Sequence, residues 1–424
     1  MAKQRLVVIG NGMAPGRALE RLFDRAPDAY DVTIFNAEPR VNYDRIMLSP
    51  ILSGEKTFEE IVIHGDGWYV RNGVTLYKGS TVTSIDRASK TVTSARGLTV
   101  PYDKLLIATG SSPVILPVPG AALAGVLSYR DLDDVQAMLL AAKSRGAAVV
   151  IGGGLLGLEA AAGLRERGMT VTVLHVMPTL MERQLDPAAG LLLQRAVEAR
   201  GIKVITRAET AAILGIKSVE AVQLADGTRI PADLVVMAVG IRPNVGLAKE
   251  AGLQTARGIV VDAGLRTSDR DIYAIGECAE AEGQTFGLVA PLYEMAHVLA
   301  AQLAGDEAAR FRANATATKL KVTGIDLFSA GDFAAAPDRE EIVFQDAEPG
   351  VYRRLVLKAN MLVGAVFYGD TSDGGWYVDL IRAGADVSAI RDGLMFGPGY
   401  GAAKAVPPAG ASVRTLPPPV AVAA

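Results

Sequence analysis

The stretch "AAVVIGGGLLGLEAAAGLRERGMTVTVLH", residues 147–175, decides the fold. An apolar strand runs into three glycines, Gly152, Gly154 and Gly157, followed by an alanine-rich helix and a second apolar strand. A bare GxGxxG is weak evidence. Framed by strand, helix and strand, it predicts a dinucleotide-binding βαβ unit whose backbone can approach a pyrophosphate.

The chain opens on a second version of the same frame, "LVVIGNGMAPGRALERL" at residues 6–22, with "YDVTIFNAEP" from Tyr30 as its second strand. Gly10 and Gly12 are in place, but Pro15 stands where the third glycine would be and Gly16 follows. Pro15 falls in the first turn of the predicted helix, where a missing N–H costs little. The turn therefore reads as a modified site.

A repeat links the two units. "PYDKLLIATGSSP" from Pro101 and "PADLVVMAVGIRP" from Pro231 share Pro, Asp, Ala, Gly and Pro at one constant offset. Duplication of a nucleotide-binding fold explains this. Each repeat predicts a buried strand and a glycine turn that close one fold against its ligand. Residues 74–94 alternate β-branched and polar residues between turn formers, which predicts a small antiparallel layer, with a counterpart at 203–230. "VAPLYEMAHVLAAQLAGD", 289–306, predicts an amphipathic helix ended by a glycine. Residues 352–370 read as two strands about a tight turn, with a helix near 376–384.

The fold class predicted is α/β: two Rossmann-like, three-layer ββα dinucleotide-binding domains followed by an α+β domain. The boundaries expected are 1–113 with 241–316, then 114–240, then 317–400, with a disordered Pro/Ala tail at 401–424.

Composition narrows the chemistry. Of 424 residues, 43 are Lys or Arg and 46 Asp or Glu, a net charge of −3 without the basic field that nucleic acid or anionic membrane would need. No apolar run reaches transmembrane length, and the basic N-terminus leads into a strand with no small-residue cleavage site, so a cytoplasmic location is expected. Cys278 is the single cysteine, which excludes an intramolecular disulfide and a four-thiolate cluster. His64, His175 and His297 lack metal-ligand spacing. Redox chemistry here calls for an organic cofactor.

Several residues carry two readings. Glu38, near the end of the second strand of the first unit, is either the ribose-binding acid or a solvated turn carboxylate. The corresponding residue of the second unit is His175, a satisfied structural histidine or a lining of the adenosine pocket. Glu159 lies early in a helix of small and apolar residues. A carboxylate there needs a partner, although the helix dipole favours it, and a role on the dinucleotide side is expected. Cys278, without a resolving thiol or basic neighbour, reads as a packed residue.

Taken together, "VVIGNGM", "YDKLLIATGSSP", "VVIGGGLLGLEAA", "MAVGIRPN" and "TSDRDIYAIGECA" resemble the FAD-dependent pyridine nucleotide–disulfide oxidoreductase superfamily over residues 1 to about 400. "EPRVNYDRIMLSPILSG", "VMPTLMERQLDPAAG" and "GLVAPLYEMA" are similar to the N-terminal flavin module of bacterial NAD(P)H nitrite reductases and to electron-transfer components of assimilatory nitrate reductases.

The resemblance implies FAD on the first unit and NAD(P)H, with a lean to NADH, on the second. It implies that Gly10, Gly12, Ala14 and Glu38 hold adenosine and pyrophosphate, and that Arg45 reaches the phosphates or flavin. Val82 would meet adenine, Ala108, Thr109 and Gly110 would cover the cofactor, and Gly276 and Glu277 would sit at the ribityl chain, with Glu277 in place of the usual Asp. Gly152, Gly154, Leu156, Gly157, Glu159, His175 and Gly240 would serve the nicotinamide dinucleotide.

Disulfide-type members place a cysteine near the flavin, and "NYDRIMLSP" has none, so thiol chemistry on substrates is not expected. Nitrite reductases of this kind continue into cysteine-rich cluster and sirohaem domains. The expected acceptor is therefore a separate protein carrying an iron–sulfur, sirohaem or molybdenum centre, and a homodimer is compatible with the resemblance. The competing readings are a rubredoxin or ferredoxin reductase and a redox-sensitive binding flavoprotein resembling apoptosis-inducing-factor proteins.

Overall fold

The structure is a computed structural model and describes residues 3–313, 317–322, 324–348 and 350–401. The tail expected to be disordered, 401–424, lies outside the described residues apart from Gly401.

The chain divides into two compact units. The first, Met1–Glu182 with Gly190–Asn314, contains two five-stranded sheets whose strands are all parallel. In one sheet the order is Ile272–Ala274, Lys104–Ile107, Gln4–Ile9, Tyr30–Phe35, Thr75–Tyr77. In the other it is Val126–Ser128, Leu234–Met237, Ala147–Ile151, Thr170–His175, Lys203–Thr206. Strand for strand the orders match, with the glycine-turn strand at the centre and the repeat strand beside it. The centre strands are apolar on both faces, as a sheet covered on both sides requires.

Each sheet has its antiparallel layer: Val82–Asp86, Thr91–Ser94 and Thr99–Pro101 for one, and Thr210–Leu214, Ala221–Leu224 and Arg229–Pro231 for the other. Helix Met13–Arg25 covers the other face of the first sheet and packs along helix Val289–Leu303, which buries Leu292, Met295, Ala296 and Leu299. The chain passes twice between the two sheets. These crossings pair with each other as an antiparallel ribbon, Ser111–Pro113 against Ile241–Pro243, in register Ser112↔Arg242.

The second unit comprises Arg183–Ala189 and the described residues from 317 on. Its antiparallel sheet runs Thr318–Val322, Ile325–Gly331, Met361–Tyr368, Val351–Lys358, Glu340–Asp346, with helix Gly374–Ala383 on one face. Phe328, Phe367 and Tyr377 form its core, and the Tyr377 hydroxyl donates to the Leu394 carbonyl at 2.7 Å. Asp186 is buried here and accepts from the Tyr352 hydroxyl at 2.6 Å. The strand pair 351–368 and the helix follow the sequence expectation, and the sheet adds three further strands, Thr318–Val322, Ile325–Gly331 and Glu340–Asp346. Among the described residues no helix is long and apolar enough to cross a membrane.

Candidate functional site

Both glycine turns have the same construction. Gly10 (φ +108°) and Gly152 (φ +121°) hold left-handed backbone that other residues avoid, and a side chain on either would strike the carbonyl of Ala108 or Ala238. Those two carbonyls belong to equivalent positions of the repeat, so the repeat strands press on the turns. Gly12 and Gly154 are the N-caps of helices Met13–Arg25 and Leu155–Glu166, with no side-chain cap. A Cβ at either would enter open space. Two uncapped helix N-termini face free volume that only a missing side chain keeps clear. These residues fit the pyrophosphates of two dinucleotides.

The third position differs between the turns. A Cβ on Gly157 would collide with the Gly152 carbonyl, so glycine is required there. Pro15 is buried as the third residue of its helix, among the N–H groups that have no helical partner. Gly16 takes up a packing role of its own: a Cβ there would lie 2.9 Å from Asn42 Nδ2 and 3.3 Å from His64 Cε1. Asn42 in turn donates to the Asn11 carbonyl at 2.8 Å and so braces the turn from outside.

Around the first turn the structure gathers most of the residues expected for the flavin. Glu38 lies just past strand Tyr30–Phe35, accepts from the Tyr43 hydroxyl at 2.8 Å and pairs with Arg45. Arg45 also donates to the Arg130 carbonyl at 3.2 Å. Gly276 (φ +85°) brings its Cα beside Ala14, where a Cβ would lie 3.5 Å from that side chain. Glu277 follows in a 3₁₀ turn, accepts from the Ser111 hydroxyl at 2.7 Å and pairs with Arg130. Thr109 and Gly110 are locked to the other repeat: Asn244 Nδ2 donates to the Thr109 carbonyl and Asn244 N–H to the Gly110 carbonyl, both at 2.9 Å. Val82 begins the antiparallel layer and is buried.

The second turn gathers Gly152, Gly154, Leu156, Gly157 and His175. Leu156 is exposed at the helix start. Gly240 (φ +121°) closes the repeat with open space at its Cα. His175 is buried at the end of strand Thr170–His175. Its Nδ1 accepts the Gly153 N–H at 3.1 Å, and its Nε2 faces Glu182 at 3.0 Å.

Helix Leu48–Ser53, from the first turn's neighbourhood, docks directly on helix Leu155–Glu166. Leu52 fills the space above Gly163, where a Cβ would lie 2.7 Å from Leu52 Cγ. Arg167 donates to the Leu52 carbonyl at 2.6 Å and caps the docked helix. At this junction Ser49 Oγ donates to Glu159 at 2.7 Å and lies 2.8 Å from the Tyr129 hydroxyl. Among the described residues the partner of Glu159 is the Ser49 hydroxyl, with no ion pair. Burial pushes its carboxyl up to about 7, and the Ser49 bond only partly opposes this. A carboxylate on the dinucleotide side was expected; its link across the junction to Ser49 and Tyr129 was not. Arg130, Ser111 and Glu182 were also missed. Only the partnerless charge at Glu159 signalled that one such contact must exist.

Cys278 is fully buried, with Sγ 3.3 Å from the Ile275 carbonyl, and burial pushes its thiol up.

Comparison with known proteins agrees with this geometry. The family model described as "Pyridine nucleotide-disulphide oxidoreductase" matches residues 4–305, and "Rubredoxin NAD+ reductase C-terminal domain" matches residues 317–385. The chain is 47% identical over 388 residues to nitrite reductase [NAD(P)H] of Bacillus subtilis, covering 92% of this chain and 48% of that one. It is 41% identical over 391 residues to the assimilatory nitrate reductase electron transfer subunit of the same organism, covering 92% and 51%. The chain thus spans about half the length of these relatives. Among solved structures, NADH:rubredoxin oxidoreductase from Clostridium acetobutylicum is similar at a TM-score of 0.77 and 28% identity, over 91% of this chain and 97% of that one.

Proposed function

The chain belongs to the pyridine nucleotide-disulphide oxidoreductase family, and on that premise we propose that this FAD-dependent NAD(P)H oxidoreductase delivers electrons to a metalloprotein of nitrite or nitrate reduction. The observation that carries the reading is the pair of open glycine cradles joined by one docked helix, Leu48–Ser53. FAD, when bound, accepts hydride from a nicotinamide and can release electrons one at a time.

The protein's own residues bind, orient and exclude water. In this reading the Met13–Arg25 helix terminus and Gly12 hold the flavin dinucleotide, Glu38 holds its adenosine end, and Arg45, paired with Glu38, reaches the phosphates or flavin. Glu277, fixed by Ser111 and Arg130, meets the ribityl hydroxyls. Gly154 and its helix would hold the nicotinamide dinucleotide, and the Ser49–Glu159 contact ties that helix to the first fold. On this reading residues 1–113 with 241–316 form the FAD domain, 114–240 the nucleotide domain and 317–400 a partner-facing domain. The chain carries one cysteine, so the acceptor's centre is held by other ligands than thiolates of these residues.

The likeness to the nitrite and nitrate reductase relatives supports an acceptor in nitrogen assimilation. A second reading, a rubredoxin or ferredoxin reductase, is favoured by the match of residues 317–385 to a rubredoxin reductase domain. Reconstitution separates them. With NADH and the flavin-loaded protein, candidate nitrite or nitrate reductase components from the same cell are expected to be reduced rapidly. Fast reduction of rubredoxin or ferredoxin, with no electrons reaching those components, replaces the first reading by the second.

A further inference from the structure

We propose that Glu182, held in place by His175, selects the nucleotide and that it selects NADH. The inference rests on the reading that the second glycine turn holds the nicotinamide dinucleotide. His175 ends the second strand of that βαβ unit, the position where such folds ordinarily carry the acid for the adenosine ribose. The acid has not been lost; it has moved one side chain outward.

Two hydrogen bonds fix the histidine. Gly153 N–H donates to Nδ1 at 3.1 Å, so Nδ1 carries the lone pair and Nε2 carries the hydrogen. Nε2 then donates to the Glu182 carboxylate at 3.0 Å. With its Nδ1 lone pair taken by the glycine turn, the ring presents Nε2 to the carboxylate. Its role is that of a spacer between turn and carboxylate.

The surrounding loop is folded tightly onto the turn. Met181 N–H donates to the Gly153 carbonyl at 3.0 Å, so both backbone groups of Gly153 are taken by the His175–Glu182 segment. A Cβ on Gly153 would lie 2.8 Å from His175 Cγ and 2.5 Å from Leu180 Cδ2. Val176 and Met177 stand exposed beside it, an apolar rim against which an adenine can lie. The Glu182 side chain keeps 31% of its surface open and meets His175 through one oxygen.

A carboxylate accepts hydrogen bonds from the two hydroxyls of an unmodified ribose. A 2′-phosphate replaces one of those donors by a dianion and sets like charges together. The competing group is Arg207, on the loop after the next strand, whose backbone N–H donates to the Met177 carbonyl at 3.2 Å. If Arg207 governs the site, the preference inverts.

The test uses the flavin-loaded enzyme and two readouts. Stopped-flow flavin reduction compares NADH with NADPH, and calorimetric titration of the oxidised enzyme compares NAD+ with NADP+. Wild type should favour the unphosphorylated nucleotide at least tenfold in both. Glu182→Gln should weaken NAD+ several-fold and narrow the ratio, and Glu182→Arg should move it toward NADP+, with flavin content and melting temperature unchanged. His175→Gln should narrow the ratio in the same direction as Glu182→Gln. An unaltered ratio in Glu182→Gln, or an NADPH preference abolished by Arg207→Ala, overturns the assignment. If neither nucleotide binds or reduces the flavin, the oxidoreductase reading falls with it.

Discussion

Glu159 and Ser49 are joined at 2.7 Å across the junction of two dinucleotide folds, and the partner of this carboxyl is a hydroxyl with no positive charge. An ion pair there would hold the carboxyl ionised. A hydroxyl leaves it close to neutrality's midpoint, since burial pushes it up to about 7 from an ordinary 4.5.

This has a measurable consequence for stability. Because the folded state binds the proton more tightly than the unfolded chain, Glu159 contributes stability that is complete below an ordinary carboxyl's pKa of 4.5. That contribution is lost as pH rises through about 7. Glu159→Gln keeps the shape and removes the titration. Thermal unfolding from about pH 5 to about pH 8 should therefore show a steeper decline for wild type than for the variant. Parallel declines would mean that Glu159 is ionised and paired in solution.

The two glycines of the first turn should fail in different ways. Gly12 has an ordinary backbone (φ −82°) and open space at its Cα, so Gly12→Val should fold at a cost of about 1 kcal/mol at the N-cap and lose its yellow colour. Gly10 has φ +108° and the Ala108 carbonyl against it, so Gly10→Ala should lower the melting temperature itself. Absorbance at the flavin bands and circular dichroism distinguish the outcomes. Full flavin retention in Gly12→Val would remove the first cradle from the mechanism.

Cys278 should be dispensable for hydride transfer. Its thiol is buried against the Ile275 carbonyl, pushed up by that burial, and has no second thiol in the chain to exchange with. Cys278→Ser should retain NADH-driven flavin reduction, with a loss of stability of about 1 kcal/mol from burying a hydroxyl. A folded, flavin-loaded variant unable to accept hydride would place the thiol on the electron path.

What the sequence disclosed was what local pattern encodes. Both glycine turns, the repeat, the two antiparallel layers and the helix at 289–303 are runs of neighbouring residues whose periodicity and turn chemistry are self-contained. The partners Ser49 and Glu159 lie 110 residues apart, and Arg130 and Glu277 lie 147 apart. Nothing in either segment names the other. At His175 the acid that such folds ordinarily carry is absent, and its partner Glu182 stands seven positions on, behind a loop tied to Gly153. In the second unit, strand Glu340–Asp346 is an edge strand exposed along most of its length, with Val343 and Phe344 in solvent, so it lacks the alternation of a half-buried strand.

The ribbon where the two chain crossings meet acts as an axle. It is three residue pairs long, each of its strands ends in a proline, and a proline has no N–H with which to extend the ladder. Beyond it, Val114 N–H donates to the Gly240 carbonyl and Asn244 N–H to the Gly110 carbonyl, both at 2.9 Å, so the axle is pinned at both ends. Sliding one crossing along the other would break every pair of this short bearing at once. The bearing is made from the last residues of the two repeats, one from each ancestral copy. The duplication that created two ligand cradles therefore also supplied the pivot between them.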